Sequence, residues 1–228
     1  EITCRDWSSD VCSSDLRQAP DITIFTGVAA DTEPIADRRR IGIVPNSKVI
    51  VKGAATADEY RAQFVQVARR AAGSGHSLSV IVHDASAADQ ALVEDILRTP
   101  EIAALKPDII RSDDPIELKR YIANCRFIVS SRYHSIVAAL SCGVPAIALG
   151  WAHKYETLLD EFGVKELNGS PSAPVSALEA MLDGLLDNAR LTALSDTIRN
   201  RKLTMAAASD AMWDSVRKAL SIAGSSSK

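Results

Sequence analysis

Residues 127–149 read Phe-Ile-Val-Ser-Ser-Arg-Tyr-His-Ser-Ile-Val-Ala-Ala-Leu-Ser-Cys-Gly-Val-Pro-Ala-Ile-Ala-Leu, and few folds accommodate that order. An apolar run, Phe127 to Val129, meets polar residues, then an Ala-rich segment, a Gly-Val-Pro stop and a second apolar run. The pattern predicts strand, helix, strand. Gly143 suits the left-handed residue just past a helix end, and Pro145 cannot continue that helix. Ser130 or Ser131 is placed to cap its start. Arg132 and His134 then fall in the first turn, beside backbone N–H groups that lack intrahelical partners. An arginine, a histidine and free N–H donors at a helix start form an anion site suited to phosphate or carboxylate.

The same unit recurs along the chain. Ile41 to Pro45 reads as a strand, with Val49 to Val51 a short extended piece after it. Thr56 to Glu59 forms a capping box that opens an amphipathic helix through Tyr60, Phe64, Val67, Ala68 and Ala71. Leu78 to Val82 is a strand ending at His83-Asp84, and Ser86 to Leu97 a helix. Asp108 to Ile110 is a strand, and Asp114-Pro-Ile-Glu117 is a second capping box with proline at the first helical position. Upstream, Asp21 to Thr26 is a short strand candidate. Beyond Trp151 the chain turns helical over residues 153–162, 175–186 and 189 to about 223. Alternation of this kind implies an α/β fold: a Rossmann-like parallel sheet with right-handed crossovers and helices on both faces. Ligands of such sheets sit beyond the carboxyl ends of the strands. The loops after Pro45, Val82, Ile110, Ser130 and Leu149 should therefore share one edge.

Asp6-Trp-Ser-Ser-Asp-Val-Cys-Ser-Ser-Asp-Leu16 matches nothing in this pattern. It is what a common sequencing-library adapter encodes when read in frame, so residues 1–16 are set aside as adapter-derived and without packed structure. Residues 17–40 are read as a linker or remnant of a missing N-terminal domain, 41–223 as the Rossmann-like domain, and 224–228 as a tail that frays. Glu1, Asp6, Asp10 and Asp15 against Arg5 account for the whole formal charge of −3. The rest is neutral, which gives no basic face for nucleic acid or a membrane surface. No apolar run is long enough to span a bilayer. Outside residues 1–16 only Cys125 and Cys142 remain, in apolar surroundings and without CxxC spacing. That argues against zinc and for a reducing, cytoplasmic setting.

The pattern Ser-Arg-x-His-x-x-x-x-Ala-Leu-x-x-Gly-Val-Pro-x-Ile-Ala-Leu over 131–149, followed by Lys154, resembles the polysaccharide pyruvyl transferase family. The likeness runs from about Ile41 to Phe162. It implies transfer of a pyruvyl group from phosphoenolpyruvate to a sugar of a cell-surface polysaccharide, forming a ketal and releasing phosphate. It further implies the C-terminal domain of a two-domain, GT-B-like glycosyltransferase architecture. By that likeness Arg132 and His134 engage phosphoenolpyruvate, with Lys154 as a second cation and His83 at the end of the second strand. Asn46 and Ser47, in Gly-x-x-Pro-Asn-Ser, offer side chains and turn N–H groups to a sugar hydroxyl or phosphate oxygen. Ser131 is counted with them, whereas Tyr133 is assigned to packing.

The chemistry needs cations for a carboxylate and a phosphate that repel each other, which Arg132 and Lys154 supply. It also needs a proton donor near neutral pH, which His134 supplies. No metal or cofactor is required, and no Asp-x-Asp or His cluster suggests one. Two alternatives stay open: a nucleotide-sugar glycosyltransferase or epimerase donor-binding domain, and a non-catalytic remnant.

Overall fold

Five apolar segments and one two-residue edge assemble into a single parallel sheet. In chain order the strands are β1 (Arg40–Val44), β2 (Ser77–Val82), β3 (Asp108–Arg111), β4 (Phe127–Ser130), β5 (Ala146–Leu149) and β6 (Asn168–Gly169). Their order in space is β3-β2-β1-β4-β5-β6, with Ile41 opposite Leu78 on one side and Phe127 on the other. The central strands β1, β4 and β5 are buried almost throughout, as a parallel sheet covered on both faces requires. This computed structural model describes residues 21–28, 33–84 and 86–225. The expectations for residues 1–16 and most of the 224–228 tail fall outside that range.

The helices are α1 (Lys48–Val51), α2 (Ala57–Gly73), α3 (Ala87–Leu97), α4 (Pro100–Ala103), α5 (Pro115–Ala123), α6 (Tyr133–Ser141), α7 (His153–Glu161), α8 (Val175–Leu186) and α9 (Asn188–Ser225). From β1 the chain steps outward to β2 and β3, then returns beside β1 at β4 and steps the other way. Right-handed crossovers in opposite directions put their helices on opposite faces. Accordingly α2 packs with α4 and α8, and α5 packs with α6. Residues 23–203 form one unit. The described part of a second unit is residues 21–22 and α9 from Thr204 onward. Among the described residues no helix is long and apolar enough to cross a membrane.

Local chemistry explains where the elements begin and end. The Thr56 hydroxyl accepts from Glu59 N–H while the Glu59 carboxylate accepts from Thr56 N–H, so the first capping box closes as expected. The second does not. Asp114 caps Ile116 N–H at 2.8 Å, but the Asp114 N–H donates to Ser112 Oγ, which in turn bonds Glu117. Ser112 is inserted where the box would have closed directly.

Two short apolar runs read as strands are helical instead. Ile22–Phe25 is a 3₁₀ turn, and Val49 to Val51 lies in α1. In α1 the Asn46 side chain accepts from Lys48 N–H at 3.0 Å and turns the chain before β-branched propensity can act. The 3₁₀ turn is held by Lys119, whose Nζ donates to Thr23 O and Thr26 O at 2.9 and 2.7 Å. Ile24 and Ile35 are buried, while Thr26, Gly27, Glu33 and Pro34 are exposed.

Helix α6 ends as its sequence predicts. Gly143 has φ +74°, with Gly143 N–H bonded to Leu140 O and Val144 N–H to Ala139 O. An added Cβ at Gly143 would also lie 2.7 Å from Arg199 Nε. Gly143→Ala should therefore cost at least about 1–2 kcal/mol from the left-handed backbone alone. Urea unfolding checks this, and a loss below about 0.5 kcal/mol, the usual range for surface changes, would contradict it.

Candidate active site

The sheet changes direction between β1 and β4, and the chains leaving these two strands diverge to open a crevice. Ligands of open α/β sheets bind at such a switch point. After β4 the backbone makes a tight elbow: Ser130 Oγ accepts from Arg132 N–H at 2.9 Å and donates to Arg132 O at 3.2 Å. Arg132 is consequently the N-cap, with an extended backbone, and helical geometry begins at Tyr133. The expectation placed Arg132 inside the first turn. The Ser130 bridge across its peptide moves the helix start one residue on.

Ser131 is locked from three directions. Tyr60 donates its hydroxyl to Ser131 Oγ at 2.7 Å, and Asn46 Nδ2 and the Tyr155 hydroxyl donate to Ser131 O at 3.1 and 2.9 Å. Burial pushes the Tyr155 phenol up to about 12 and Tyr60 higher still, so both remain donors at neutral pH. Tyr155 reaches Ser131 only because residue 150 is glycine, since a Cβ there would overlap the tyrosine ring. Ser131 is thus fully buried and Asn46 nearly so, each with its polar atoms engaged by protein.

Arg132 lies between two carboxylates. Its Nη2 contacts Asp89 Oδ2, and its Nη1 is 3.2 Å from Asp84 Oδ2. Asp89, which the sequence reading missed, also accepts from Ser47 N–H at 2.9 Å and from the Ser47 hydroxyl. Ser47 therefore faces α3 and braces the loop after β1. The available signal was Ser86-x-x-Asp89, a capping pattern. Ser86 does cap Asp89 N–H, but the carboxylate turns away to Ser47 and Arg132.

A cavity of about 180 Å³ opens at this edge, lined by Asn46, Lys48, His83, Arg132, Tyr133, His134, Trp151, Lys154 and Tyr155. Arg132, His134, Lys154, His83 and Asn46 are thus brought together as residues of one cavity, while Ser47 and Ser131 sit outside its wall. His134 is exposed and Lys154 is exposed. Lys154 Nζ lies over the Tyr133 ring at 4.7 Å and the Tyr155 ring at 5.7 Å, which holds its charge at the cavity by cation–π contact. Tyr133, assigned to packing above, is a wall of the cavity. Burial, with Arg132 and His134 nearby, holds His83 below its ordinary value of 6.5. Among the described residues no cluster of His, Cys, Asp and Glu can hold a metal. Cys125 is an inert core thiol, pushed up to about 12 by burial.

A family model, polysaccharide pyruvyl transferase, matches residues 6–153. The span takes in β1 to β5 and the whole elbow. It starts inside the segment read above as adapter-encoded, well before Ile41, where the residue-by-residue likeness begins. The amylovoran biosynthesis protein AmsJ of Erwinia amylovora is 27% identical over 74 residues, which are 32% of this chain and 18% of that protein. No solved structure gives a significant match.

His83 reports the field of this cavity. A histidine whose folded pKa is lowered binds its proton less readily than the unfolded chain does. Its contribution to stability is therefore full above 6.5, begins to fall there, and is lost as pH drops on through the lower folded value. Arg132→Ala removes the nearest positive charge and should move the His83 titration upward in an NMR pH series. A downward or absent shift would show that Arg132 does not face His83.

Proposed function

The chain belongs to the polysaccharide pyruvyl transferase family, and on that premise we propose that it transfers a pyruvyl group from phosphoenolpyruvate to a sugar of a surface polysaccharide. Two hydroxyls of one sugar form two C–O bonds to C2, the bond from C2 to the phosphate oxygen breaks, and C3 gains a proton. Of the two hydroxyl protons, one balances the proton added at C3 and the other leaves with phosphate. The observation that carries this reading is the shared cavity. Arg132 and His134, at the start of one helix, border it together with Lys48 and Lys154.

Each residue then has a part. Arg132, with Lys154 and Lys48, offsets the repulsion between the donor's carboxylate and phosphate. His134 sits at the second helical position and borders the cavity, and it is the acid assigned to protonate C3. His83, held neutral by its surroundings, is a hydrogen-bonding wall for the donor. Asn46, Ser47 and Ser131 are assigned to positioning, since their polar groups are engaged by protein. The GT-B-like arrangement implied by the resemblance would bring the acceptor sugar against this edge from a second domain. Cys125 and Cys142 are free thiols, which suits a cytoplasmic reaction.

A nucleotide-sugar site is the competing reading, favoured by the strand order shared with dinucleotide-binding sheets. The turn after β1, Pro45-Asn46-Ser47-Lys48, weighs against it because it has no glycine to admit a pyrophosphate close to the backbone.

Steady-state kinetics with phosphoenolpyruvate and an acceptor sugar separate the roles. Arg132→Lys loses the planar fork and should raise the donor KM, while Arg132→Ala should cost about 2–5 kcal/mol in kcat/KM. His134→Gln keeps a hydrogen bond but moves no proton, so kcat should fall about 10²–10⁴-fold with donor affinity little changed. If His134→Gln instead lost donor binding at constant kcat, His134 would be a phosphate ligand. Tight binding of a nucleoside diphosphate sugar without phosphoenolpyruvate binding would favour the competing reading.

A further inference from the structure

The two carboxylates on Arg132 differ in a way that assigns them different tasks. Asp89, on α3, leaves 3% of its side chain exposed and also holds the Ser47 N–H and hydroxyl. Asp84, just past β2, is 43% exposed. Only one of its oxygens is on Arg132, at 3.2 Å, while the other accepts from Ser86 N–H at 3.0 Å. Arg132 Nε is buried and has no partner. A guanidinium grips an oxyanion best through two parallel N–H groups. With Nη2 on Asp89 and Nη1 on Asp84, that fork is closed. The cavity's three cations, Lys48, Arg132 and Lys154, face two carboxylates, which leaves little net positive charge for a multiply charged donor.

Opening the fork requires one carboxylate to leave, and burial decides which. Releasing Asp89 would strand a buried carboxylate and unbind Ser47, and breaking a buried pair is strongly destabilising. Releasing Asp84 moves a half-exposed carboxylate toward water, where an ion pair contributes little. Nη1 then joins the second N–H of Nη2 to restore the fork.

We propose that Asp84 is an exchangeable counter-ion on Arg132, yielding to the phosphate or carboxylate oxygens of an incoming donor, while Asp89 is the fixed positioning residue. Naming phosphoenolpyruvate as that donor rests on the function proposed above, but the exchange itself needs only an oxyanion. The device has two consequences. Singly charged small anions compete poorly with a tethered carboxylate, so the site selects for high charge. When product phosphate begins to leave, Asp84 returns to Nη1 and opposes rebinding.

Calorimetric titration of the full chain at low ionic strength tests this, using inorganic phosphate and phosphoenolpyruvate separately as probes. Asp84→Asn keeps an acceptor for Ser86 N–H but removes the competing charge. It should bind inorganic phosphate at least about threefold more tightly than the parent, consistent with the energy of an exposed ion pair. The gain should shrink as salt is raised toward about 0.15 M, where charges are screened over about 8 Å. Asp89→Asn should bind phosphate more weakly, and if that variant does not fold, Asp84→Asn alone decides. Equal or weaker phosphate binding by Asp84→Asn overturns the exchange, as does an absence of phosphate binding in both proteins. A gain with inorganic phosphate but no binding of phosphoenolpyruvate retires the donor assignment and leaves the exchange standing.

Discussion

The hydrogen bonds that converge on Ser131 fix the rest of the site. Tyr60 comes from the helix after β1, Tyr155 from the helix after β5, and Asn46 from the turn at the end of β1. Together they tie the segments after β1 and β5 to the peptide that follows β4, immediately before Arg132. Each such bond is worth about 1 kcal/mol net, and leaving a buried partner unsatisfied costs about 1–3 kcal/mol. The energy is modest, but the elbow's position is heavily determined. A guanidinium on a side chain as long as arginine's can only present a fixed fork if its backbone and its first contacts are fixed, and here both are.

The electrostatics follow from that anchoring. The elbow puts Arg132 at the start of α6 as its N-cap, with its own N–H held by Ser130 Oγ. Asp89 holds one end of the guanidinium against α3, and the same carboxylate fixes the loop after β1 through Ser47. Lys154 is steered by the faces of Tyr133 and Tyr155. Tyr155 therefore has two functions, with its hydroxyl locking Ser131 and its ring guiding a cation. The switch point gathers Lys48, Arg132 and Lys154 around one crevice, where Asp84 and Asp89 offset part of their charge, and the apolar strands behind it supply a low-dielectric wall.

Much of this was legible in the chain. The apolar runs of β1, β2, β4 and β5 are continuous because parallel strands are buried on both faces, and that signal is local. Gly143 and Pro145 mark the end of α6 by conformational rules that hold in any context. Arg132, His134 and Lys154 were legible from residue type at strand and helix boundaries, together with a family pattern. What was not legible depends on particular side-chain contacts, some local and some distant in sequence. Val49 to Val51 looks extended by β-branched propensity, but Asn46 turns the chain into α1. The 3₁₀ turn at Ile22–Phe25 depends on Lys119, far along the sequence. Asn46, Ser47 and Ser131 have the residue types of ligand contacts, and only the fold shows their polar atoms already used by Tyr60, Tyr155 and Asp89. Asp89 was hidden because a first-turn carboxylate after Ser86 has a sufficient local explanation as a cap.

The most direct test of the central claim, that the donor binds at the crevice between β1 and β4, is a crystal structure of the chain soaked with phosphoenolpyruvate. The account predicts donor oxygens within hydrogen-bonding distance, about 2.7–3.2 Å, of Arg132 Nη1 and Nη2. It also predicts Lys154 turned toward the phosphate, His134 facing C3, and the Ser131 bonds to Tyr60, Asn46 and Tyr155 unchanged. Density for the donor at another edge of the sheet, with Arg132 still bridged by both Asp84 and Asp89, would contradict it.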